Sequence, residues 1–452
     1  MYLLHLWHQL RRSFWFIPSL IAVAAAVVSQ ITLELDEALP WQDHKWLKWW
    51  IYSGGGEGAA TLLSAIVGSM ITATSITFSM TLVALTLTAS QYGPRLLQNF
   101  MRRPGSQVVL GTFLATFTFS LLVLRSVRIS GEAAVVPHLS VTVAIGLALT
   151  SVGVLIFFIH HIATAIQADT IISQVYGDLV ASIARIFPEQ IGKNASYDAA
   201  LPPEQVEPDI ACRQSIDQDG VPVRASSTGY LQAVDAEKLL ALAVEHDLVI
   251  VLHHRPGQFI IQHQLVATLG LPTTNIDGQK LEPHVWDCLI LGQERTSEQD
   301  VEFAMLQLVE VAVRALSPGI NDPHTAMRCL DWLAAALCQL SRRGFPSPSR
   351  RDDSGQTRVI AERPSVAGLI DTAFHQIRQA SSGKPDLYIR LIDGMSSVAE
   401  QTDTVTILEA LKRHADMVWR DAQRSVLEPL DLADIERRHR RLSSVVGDRI
   451  DS

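Results

Sequence analysis

The sequence predicts a membrane protein with four transmembrane α-helices, followed by a cytosolic α+β unit and an all-α C-terminal region. Two observations support this fold class. Hydrophobic residues make up 48% of the 452 residues and charged residues only 18%, a balance typical of a chain with membrane and soluble parts. Four long uncharged stretches also lie within the first 168 residues, whereas the remainder has the composition of globular protein.

Each uncharged stretch is long enough to cross a hydrocarbon core of about 30 Å as a helix. The predicted spans are residues 13–33, 61–90, 106–125 and 139–163. The first is too long for a signal peptide and lacks a small-residue cleavage site. Lys and Arg are more frequent in the segments predicted on the same side of the bilayer as the N-terminus than in the loops on the other side. The positive-inside rule therefore predicts a multi-pass protein of the bacterial inner membrane with both termini in the cytoplasm.

The soluble part divides into three predicted regions. Residues 169–220 form a helical extension of the fourth span and a linker, 221–292 a small α+β unit, and 293–445 a helical region. Within the α+β unit, β-rich runs on both sides of Arg255-Pro-Gly-Gln predict a hairpin. A polar, Pro- and Arg-rich stretch at 342–356 predicts a loop.

Composition also excludes several classes of function. The net charge of −9, without a basic tail, argues against a nucleic-acid-binding protein. The four cysteines form no C-x-x-C pair, so neither a zinc ribbon nor a thioredoxin-like site is indicated. No nucleotide, metal or catalytic motif is present, and we therefore expect no cofactor and no enzymatic activity.

Several segments together resemble a bacterial family of predicted membrane proteins with a domain of unknown function. The matching segments are LWHQLRRSFWFIPSL, SMITATSITFSMTLVALTLTASQYGPRLLQNFMRRPGSQVVLGTF, VLRSVR, PHLSVTVA, LIFFIHHIATAIQA and RALSPGINDPHTA. Members of that family often carry an Arg-Asp pair where this chain has Arg102 and Arg103. The resemblance implies a four-span inner-membrane protein with a cytosolic C-terminal domain, but it implies no activity.

The second span is both apolar and rich in hydroxyl groups, since ten of the residues from Ser69 to Ser90 are serine or threonine. Small and polar residues recur every three, four or seven positions, which places them on one side of a helix. This first stripe consists of Ser64, Gly68, Thr72, Ser75, Ser79, Thr86 and Ser90. A second stripe, on a different side, consists of Thr74, Thr77, Thr81 and Thr88.

Two placements suit such stripes: close helix packing, or a wet pore formed by several subunits. With two stripes, one can pack while the other lines the pore. Arg95, Arg102 and Arg103 follow the span and are predicted at its cytosolic mouth, where an oligomer would favour anions. The alternative is that these arginines only anchor the helix by the positive-inside rule.

Histidines and one polar corner are further candidate sites. His160 and His161 end the fourth span; they point about 100° apart and cannot easily share a metal, but they are candidates for pH sensing. In SPGINDPHT, Asn321, Asp322 and Pro323 have the pattern of a helix–turn–helix corner with Asp322 as N-cap. A ligand or subunit contact is the alternative there. His253, His254 and His263 flank the predicted hairpin turn, where metal binding is disfavoured because adjacent strand residues face opposite sides.

These features favour an oligomeric protein whose second span lines a passive path for ions or small solutes, regulated by the cytosolic domain. The alternative is a non-conducting, membrane-anchored sensor or scaffold. The spans contain no acidic residue, which argues against a proton- or sodium-coupled carrier. The expected partners are the lipid bilayer and further copies of the chain, with the permeant species left open.

Overall fold

A computed structural model describes residues 15–38, 51–93, 104–128, 136–165, 167–187, 213–271, 278–343 and 347–451. The chain divides into two compact units, unit 1 from Met1 to Thr170 and unit 2 from Ile171 to Ser452. Unit 1 contains four long apolar helices, and unit 2 contains two β-sheets and a helical bundle.

The four helices of unit 1 are long and apolar enough to cross a membrane. They are α1 (Phe16–Ala38), α2 (Gly56–Tyr92), α3 (Pro104–Ser126) and α4 (His138–Ala165). The four predicted spans are therefore confirmed as helices. Helix α2 has 37 residues, which makes it about 55 Å long and longer than a hydrocarbon core of about 30 Å.

Helix α3 forms the centre of unit 1. In its most apolar window 56% of the residues are buried, against 17% in each of the other three helices. Helix α1 approaches α3 at Gly111, where a Cβ atom would lie 2.6 Å from Ile21 Cδ1. Helix α4 contacts the opposite region of α3 through a buried hydrogen bond of 2.9 Å between the hydroxyls of Thr116 and Ser151.

A carboxylate at the end of α1 caps the beginning of α4. Asp36 Oδ1 accepts a hydrogen bond from the backbone N–H of Leu139 at 2.8 Å. Its Oδ2 accepts from the backbone N–H of Ser140 at 2.8 Å and from the Ser140 hydroxyl at 2.7 Å. The first N–H groups of a helix lack partners within the helix and carry partial positive charge, so a carboxylate suits this place.

The segment that enters α2 is fixed to the same end of α4. His138 Nδ1 donates to the carbonyl oxygen of Tyr52 at 2.7 Å, and the Tyr52 N–H donates to Thr142 Oγ1 at 2.8 Å. These two bonds set where α2 begins relative to α4.

Helix α4 ends at Ala165 and helix α5 (Ala168–Ile186) begins three residues later, with residue 166 outside the described residues. The helix predicted from 168 is therefore confirmed, and its continuity with the fourth span stays a prediction. Within unit 2, the Tyr176 ring of α5 lies 4.3 Å from the Trp332 ring, and Ser182 donates to the Ser297 carbonyl at 2.9 Å.

The α+β part of unit 2 contains two sheets. Its first elements are β1 (Val221–Arg224), β2 (Gly229–Val234), α6 (Ala236–Glu245), β3 (Val249–Leu252), β4 (Phe259–Ile260), β5 (Leu265–Gly270), α7 (Gly278–Trp286) and β6 (Leu289–Gly292). Two further strands come from later in the chain, β7 (Ser349–Arg351) and β8 (Thr357–Ala361). A five-stranded sheet has the order β1-β5-β3-β8-β7, and a three-stranded sheet has the order β4-β2-β6.

The predicted hairpin around Arg255 is not formed. Strand β3 pairs antiparallel with β5, and the short β4 pairs with β2 in the other sheet. The turn joins two sheets because its backbone bonds to β2: the N–H of Gly257 donates to the Leu231 carbonyl, and the N–H of Leu231 donates to the Gln258 carbonyl.

The predicted loop at 342–356 is also partly wrong, because Ser349–Arg351 form β7. Strand β8 lies between β7 and β3 and pairs parallel with β3, with Val359 opposite Ile250. The helical region predicted from 293 therefore supplies two strands to the larger sheet. Burial of Val359 and Ile360 accounts for this insertion.

The remaining helices form a bundle. They are α8 (Val301–Ala315), α9 (Pro323–Ser341), α10 (Val366–Ala380), α11 (Pro385–Ala399), α12 (Val405–Ser425) and α13 (Pro429–Ile450). Two hydrogen bonds from buried side chains to partly exposed aspartates join them: Tyr388 of α11 donates to Asp421 of α12 at 2.6 Å, and His414 of α12 bonds to Asp371 of α10 at 2.6 Å.

Candidate functional site on the second transmembrane helix

The seven residues of the first stripe all lie exposed on the surface of α2. They are Ser64, Gly68, Thr72, Ser75, Ser79, Thr86 and Ser90. With 3.6 residues per turn, they fall within about 80° of one another around the helix. We name this set the hydroxyl face.

The buried residues of α2 lie on the opposite side of the helix. They are Ala59, Leu63, Ile66, Met70, Thr77, Ala84 and Thr88. By helical geometry the centre of this set is about 180° from the centre of the hydroxyl face. The apolar members share a core cluster with Phe113 and Val123 of α3 and Phe158 of α4, so α2 turns its hydroxyl face away from the interior of unit 1.

The second threonine stripe belongs to the packed side. Thr77 and Thr88 are buried, and Thr74 and Thr81 are half-buried. Thr88 donates to the Ala84 carbonyl at 2.8 Å. In the part of the chain that the structure describes, the buried Thr77 Oγ1 has no hydrogen-bond partner. Of the two uses that the sequence allows for its stripes, helix packing therefore applies to the second stripe.

Hydroxyls on the hydroxyl face donate back to their own helix. Thr72 donates to the Gly68 carbonyl at 3.1 Å, Thr86 to the Leu82 carbonyl at 2.9 Å, and Ser90 to the Leu87 carbonyl at 2.9 Å. Such back-bonding satisfies the O–H donor and leaves lone pairs on the oxygen. The face therefore presents a row of neutral acceptors that can bind water, a cation or a donor from another helix.

The hydroxyl face extends beyond the predicted residues. Glu57 and Thr61 are exposed and continue its spacing by steps of four and three before Ser64. The span predicted from the sequence begins at residue 61 and so does not contain Glu57, although the spacing of the stripe includes this residue. Leu82, which is 47% exposed, falls on the same face in the seven-residue gap between Ser79 and Thr86.

The arginines predicted at the cytosolic mouth lie outside the described residues. These are Arg95, Arg102 and Arg103, in the segment between Gly93 and Pro104. Their role as a positive mouth stays a prediction.

The two histidines of α4 have different surroundings. His160 is exposed, whereas the His161 ring stacks on Phe157 with centroids 5.6 Å apart. A Cβ atom at Gly105 would lie 3.2 Å from His161 Nε2, so the ring packs against the first turn of α3. The two side chains therefore have separate neighbours, in agreement with the prediction that they do not share a metal. A pH-sensing role for either residue stays a prediction.

The SPGINDPHT segment forms a capped corner between α8 and α9. Asp322 accepts hydrogen bonds from Thr325, at 3.1 Å from the backbone N–H and 2.5 Å from the hydroxyl. Pro323 occupies the first turn of α9, and Asn321 has a φ of 49°. This left-handed conformation is one that asparagine tolerates. The predicted N-cap is confirmed, and a ligand or subunit contact at this corner stays a prediction.

The histidines around the Arg255 turn are each engaged separately. His253 Nε2 lies 2.7 Å from Thr268 Oγ1, and His254 Nε2 lies 3.0 Å from Gln264 Nε2. Burial lowers the pKa of both His253 and His254. No group of three or more His, Cys, Asp or Glu residues with metal-binding geometry occurs within the described ranges.

A cavity of about 440 Å³ lies beside Asp36 at the end of unit 1 where α1 and α3 finish. Glu34, Glu37, Arg125 and Arg128 are among the residues that line it. The lining of this cavity therefore carries charges of both signs.

Comparison with known proteins agrees with these four apolar helices. A family described as "Predicted membrane protein (DUF2254)" matches residues 11–397. The chain belongs to this family. It is also 30% identical over 432 residues to uncharacterized proteins of Mycobacterium bovis and Mycobacterium tuberculosis, covering 94% of this chain and 79% of each relative. No solved structure matches the chain. The family is one of membrane proteins, in agreement with the resemblance seen in the sequence.

Proposed function

We propose that the chain is one subunit of a homo-oligomer in the bacterial inner membrane, with both termini in the cytoplasm. In this assembly the hydroxyl faces of several α2 helices border a passive path for ions or small solutes. The observation that carries the proposal is the exposure of all seven predicted residues on the side of α2 opposite its packed side.

The exposed hydroxyls favour a neighbour other than lipid. In a single copy these oxygens would lie against acyl chains, where lone pairs find no donor and polar groups are unfavourable. Water in a shared lumen supplies donors and acceptors along the whole face. The row is long enough for this purpose, since Ser64 and Ser90 are separated by about 39 Å along the helix.

The residues on this face suit passive conduction. Residues 58–90 contain no charged side chain, so there is no acidic group there to carry a coupling proton or to balance the charge of a coupling sodium ion. Glu57 stands at the beginning of the face, and Leu82 interrupts the hydroxyls near its other end. Copies of Leu82 around a lumen would form an apolar constriction of the kind that closes pores by excluding water.

A non-conducting sensor or scaffold is the second candidate, favoured by Gly68. A Cβ atom built there meets nothing within 4 Å, so this small position is open to a helix of another copy. Small residues permit close approach of helix backbones in membranes. In that case the hydroxyl faces pack directly against one another and leave no lumen.

Reconstitution into liposomes tests the proposal. We expect the purified protein to pass ions or small solutes, and Ser75→Leu and Ser79→Leu to reduce flux to background, because leucine side chains fill the lumen. Ile76→Leu is the matched control: Ile76 is 50% exposed and lies about 100° from Ser75 around the helix, so flux should be unchanged. If the unmodified protein assembles normally and its flux stays at background, the channel proposal fails and the scaffold remains.

A further inference from the structure

Helix α13 in unit 2 has one buried side and one exposed side. Ile435, Leu442 and Val446 are buried and pack towards α11 and α12. The other side carries Leu430, Asp434, Arg437 and Arg441, spaced by four, three and four residues and therefore on one face. We name these four residues the outer face of α13.

The beginning of this helix is apolar and acidic. Leu427 is 94% exposed and Leu430 is 77% exposed, which is unfavourable for two large apolar side chains so close together. Glu428 and Asp431 are exposed beside them. A partner for this end must therefore bring both apolar surface and positive charge.

The second half of the same helix supplies both. Arg437, Arg440 and Arg441 have side chains that are 72%, 75% and 74% exposed. Arginine carries a long apolar stem below its charged head. Within the chain these arginines pair with Asp434, Glu436 and Glu400. Such exposed pairs contribute little to stability and are readily exchanged.

We propose that the outer face of α13 binds the same face of a second copy, with the two helices antiparallel. A two-fold axis close to residues 435 and 436 places Leu430 opposite Arg441 and Asp434 opposite Arg437. Because the interface is isologous, each of these contacts occurs twice. The arginine stems cover the exposed leucines, and acidic halves meet basic halves.

A lipid surface fits this face less well. Glu428 and Asp431 stand next to the two exposed leucines, and negative charge there opposes contact with an anionic leaflet. The complementary halves of one helix instead point to another copy of the chain. This self-association does not depend on conduction through unit 1, so it remains to be tested even if no flux is found.

Disulfide cross-linking of the full chain tests the arrangement. In a background with the four native cysteines changed to alanine, L430C/R441C should give a cross-linked dimer. The two positions are about 16 Å apart within one helix, too far for an intramolecular bond. L430C alone and R441C alone are the controls, because each lies about 16 Å from its own copy across the axis. Cross-linking of L430C alone would show parallel pairing and overturn the proposal.

Charge reversal provides a second test. R437E/R440E makes both halves of α13 acidic, and D431K/D434K makes both halves basic. Each variant alone should lower the L430C/R441C cross-link at least about tenfold, because like charges then face each other. Co-expression of the two variants restores complementary charges and should recover the cross-link.

Two results would contradict self-association of α13. One is a cross-link yield that neither charge variant changes. The other combines two measurements: an environment-sensitive fluorophore at L430C becomes buried on transfer from detergent to vesicles, and L430C/R441C gives no cross-link. Together these would identify a lipid surface as the partner of this face. If replacement of the native cysteines prevents folding, L430C/R441C is made in the native background instead. The unsubstituted chain, L430C alone and R441C alone then give the yield that the native thiols contribute.

Discussion

Asp36 and Ser140 are 104 positions apart in the chain, yet the Ser140 N–H and hydroxyl both donate to Asp36 Oδ2. This contact joins the end of α1 to the beginning of α4. Because the N–H of Leu139 donates to the other carboxylate oxygen, one side chain satisfies two of the free donors at the helix start. The carboxylate therefore sets how α1 and α4 meet.

Removal of this carboxylate should destabilise unit 1. We expect Asp36→Ala to lower the free energy of unfolding by about 0.5–2 kcal/mol, the range for loss of an N-cap. Thermal melting of the purified protein in detergent measures the change. Glu37→Ala is the control, since Glu37 is exposed, and it should leave the melting temperature nearly unchanged. Equal shifts for both variants would mean that the cap does not stabilise the fold.

Gly257 allows the Arg255 turn to approach α8. Its φ is 95°, and a Cβ atom would lie 2.0 Å from Asp300 Oδ2, the oxygen that also accepts from Arg295 Nε at 2.9 Å. Gly257→Ala should therefore destabilise unit 2 by more than about 1 kcal/mol. At Gly319 a Cβ atom would meet nothing within 4 Å, so Gly319→Ala is the control. A melting temperature for Gly257→Ala equal to that of the control would contradict this expectation.

Local patterns in the sequence predict much of the fold. The four spans, the cap at Asp322 and the helices of the bundle all depend on residues within a few positions of one another. These signals do not depend on tertiary contacts, because they arise from hydrogen bonding and periodicity within one helix.

Contacts between distant residues could not be predicted in this way. The pairing of Val359 with Ile250 and the bond from Ser140 to Asp36 have no local signal. Helical periodicity also reveals two stripes on α2 without showing which one packs. Packing within unit 1 decides that question, because Thr77 is buried on the side of α2 whose apolar residues share a core with α3 and α4, whereas Ser75 is exposed.

Acid should destabilise unit 2 through His414. This side chain is fully buried, and burial lowers its pKa, although the hydrogen bond to Asp371 acts in the opposite direction. Between the lowered pKa of His414 and the ordinary histidine value of about 6.5, this side chain binds more protons in the unfolded chain than in the folded chain. Stability is therefore present above that window and is lost as the pH falls through it.

Melting temperatures measured at about pH 7.5 and about pH 5.5 test whether unit 2 loses stability in acid. His414→Gln, which cannot titrate, should show a smaller decrease on acidification than the unmodified protein. His284→Gln is the control because His284 is exposed, and it should retain the full decrease. An identical pH dependence of the melting temperature in all three proteins would exclude His414 as a cause of the acid destabilisation.

Thr77 should tolerate replacement by valine. Its buried hydroxyl has no hydrogen-bond partner among the described residues, and an unsatisfied buried group is unfavourable. We expect Thr77→Val, which keeps the shape, to be neutral or to raise stability by up to about 1 kcal/mol. Thr88→Val removes a hydroxyl that donates to Ala84 and should not stabilise. Loss of stability in Thr77→Val would indicate a bond that the hydroxyl makes in the membrane.

Leu82 should control flux if the hydroxyl faces border a lumen. It is the large apolar residue between Ser79 and Thr86 on that face, so Leu82→Ser would remove the constriction and wet the path. We expect flux into liposomes to rise several-fold. Leu87→Ser is the matched control, because Leu87 is 40% exposed but lies about 140° from Leu82 around the helix and outside the hydroxyl face. An equal rise in both variants would indicate general leakage and contradict a constriction at Leu82.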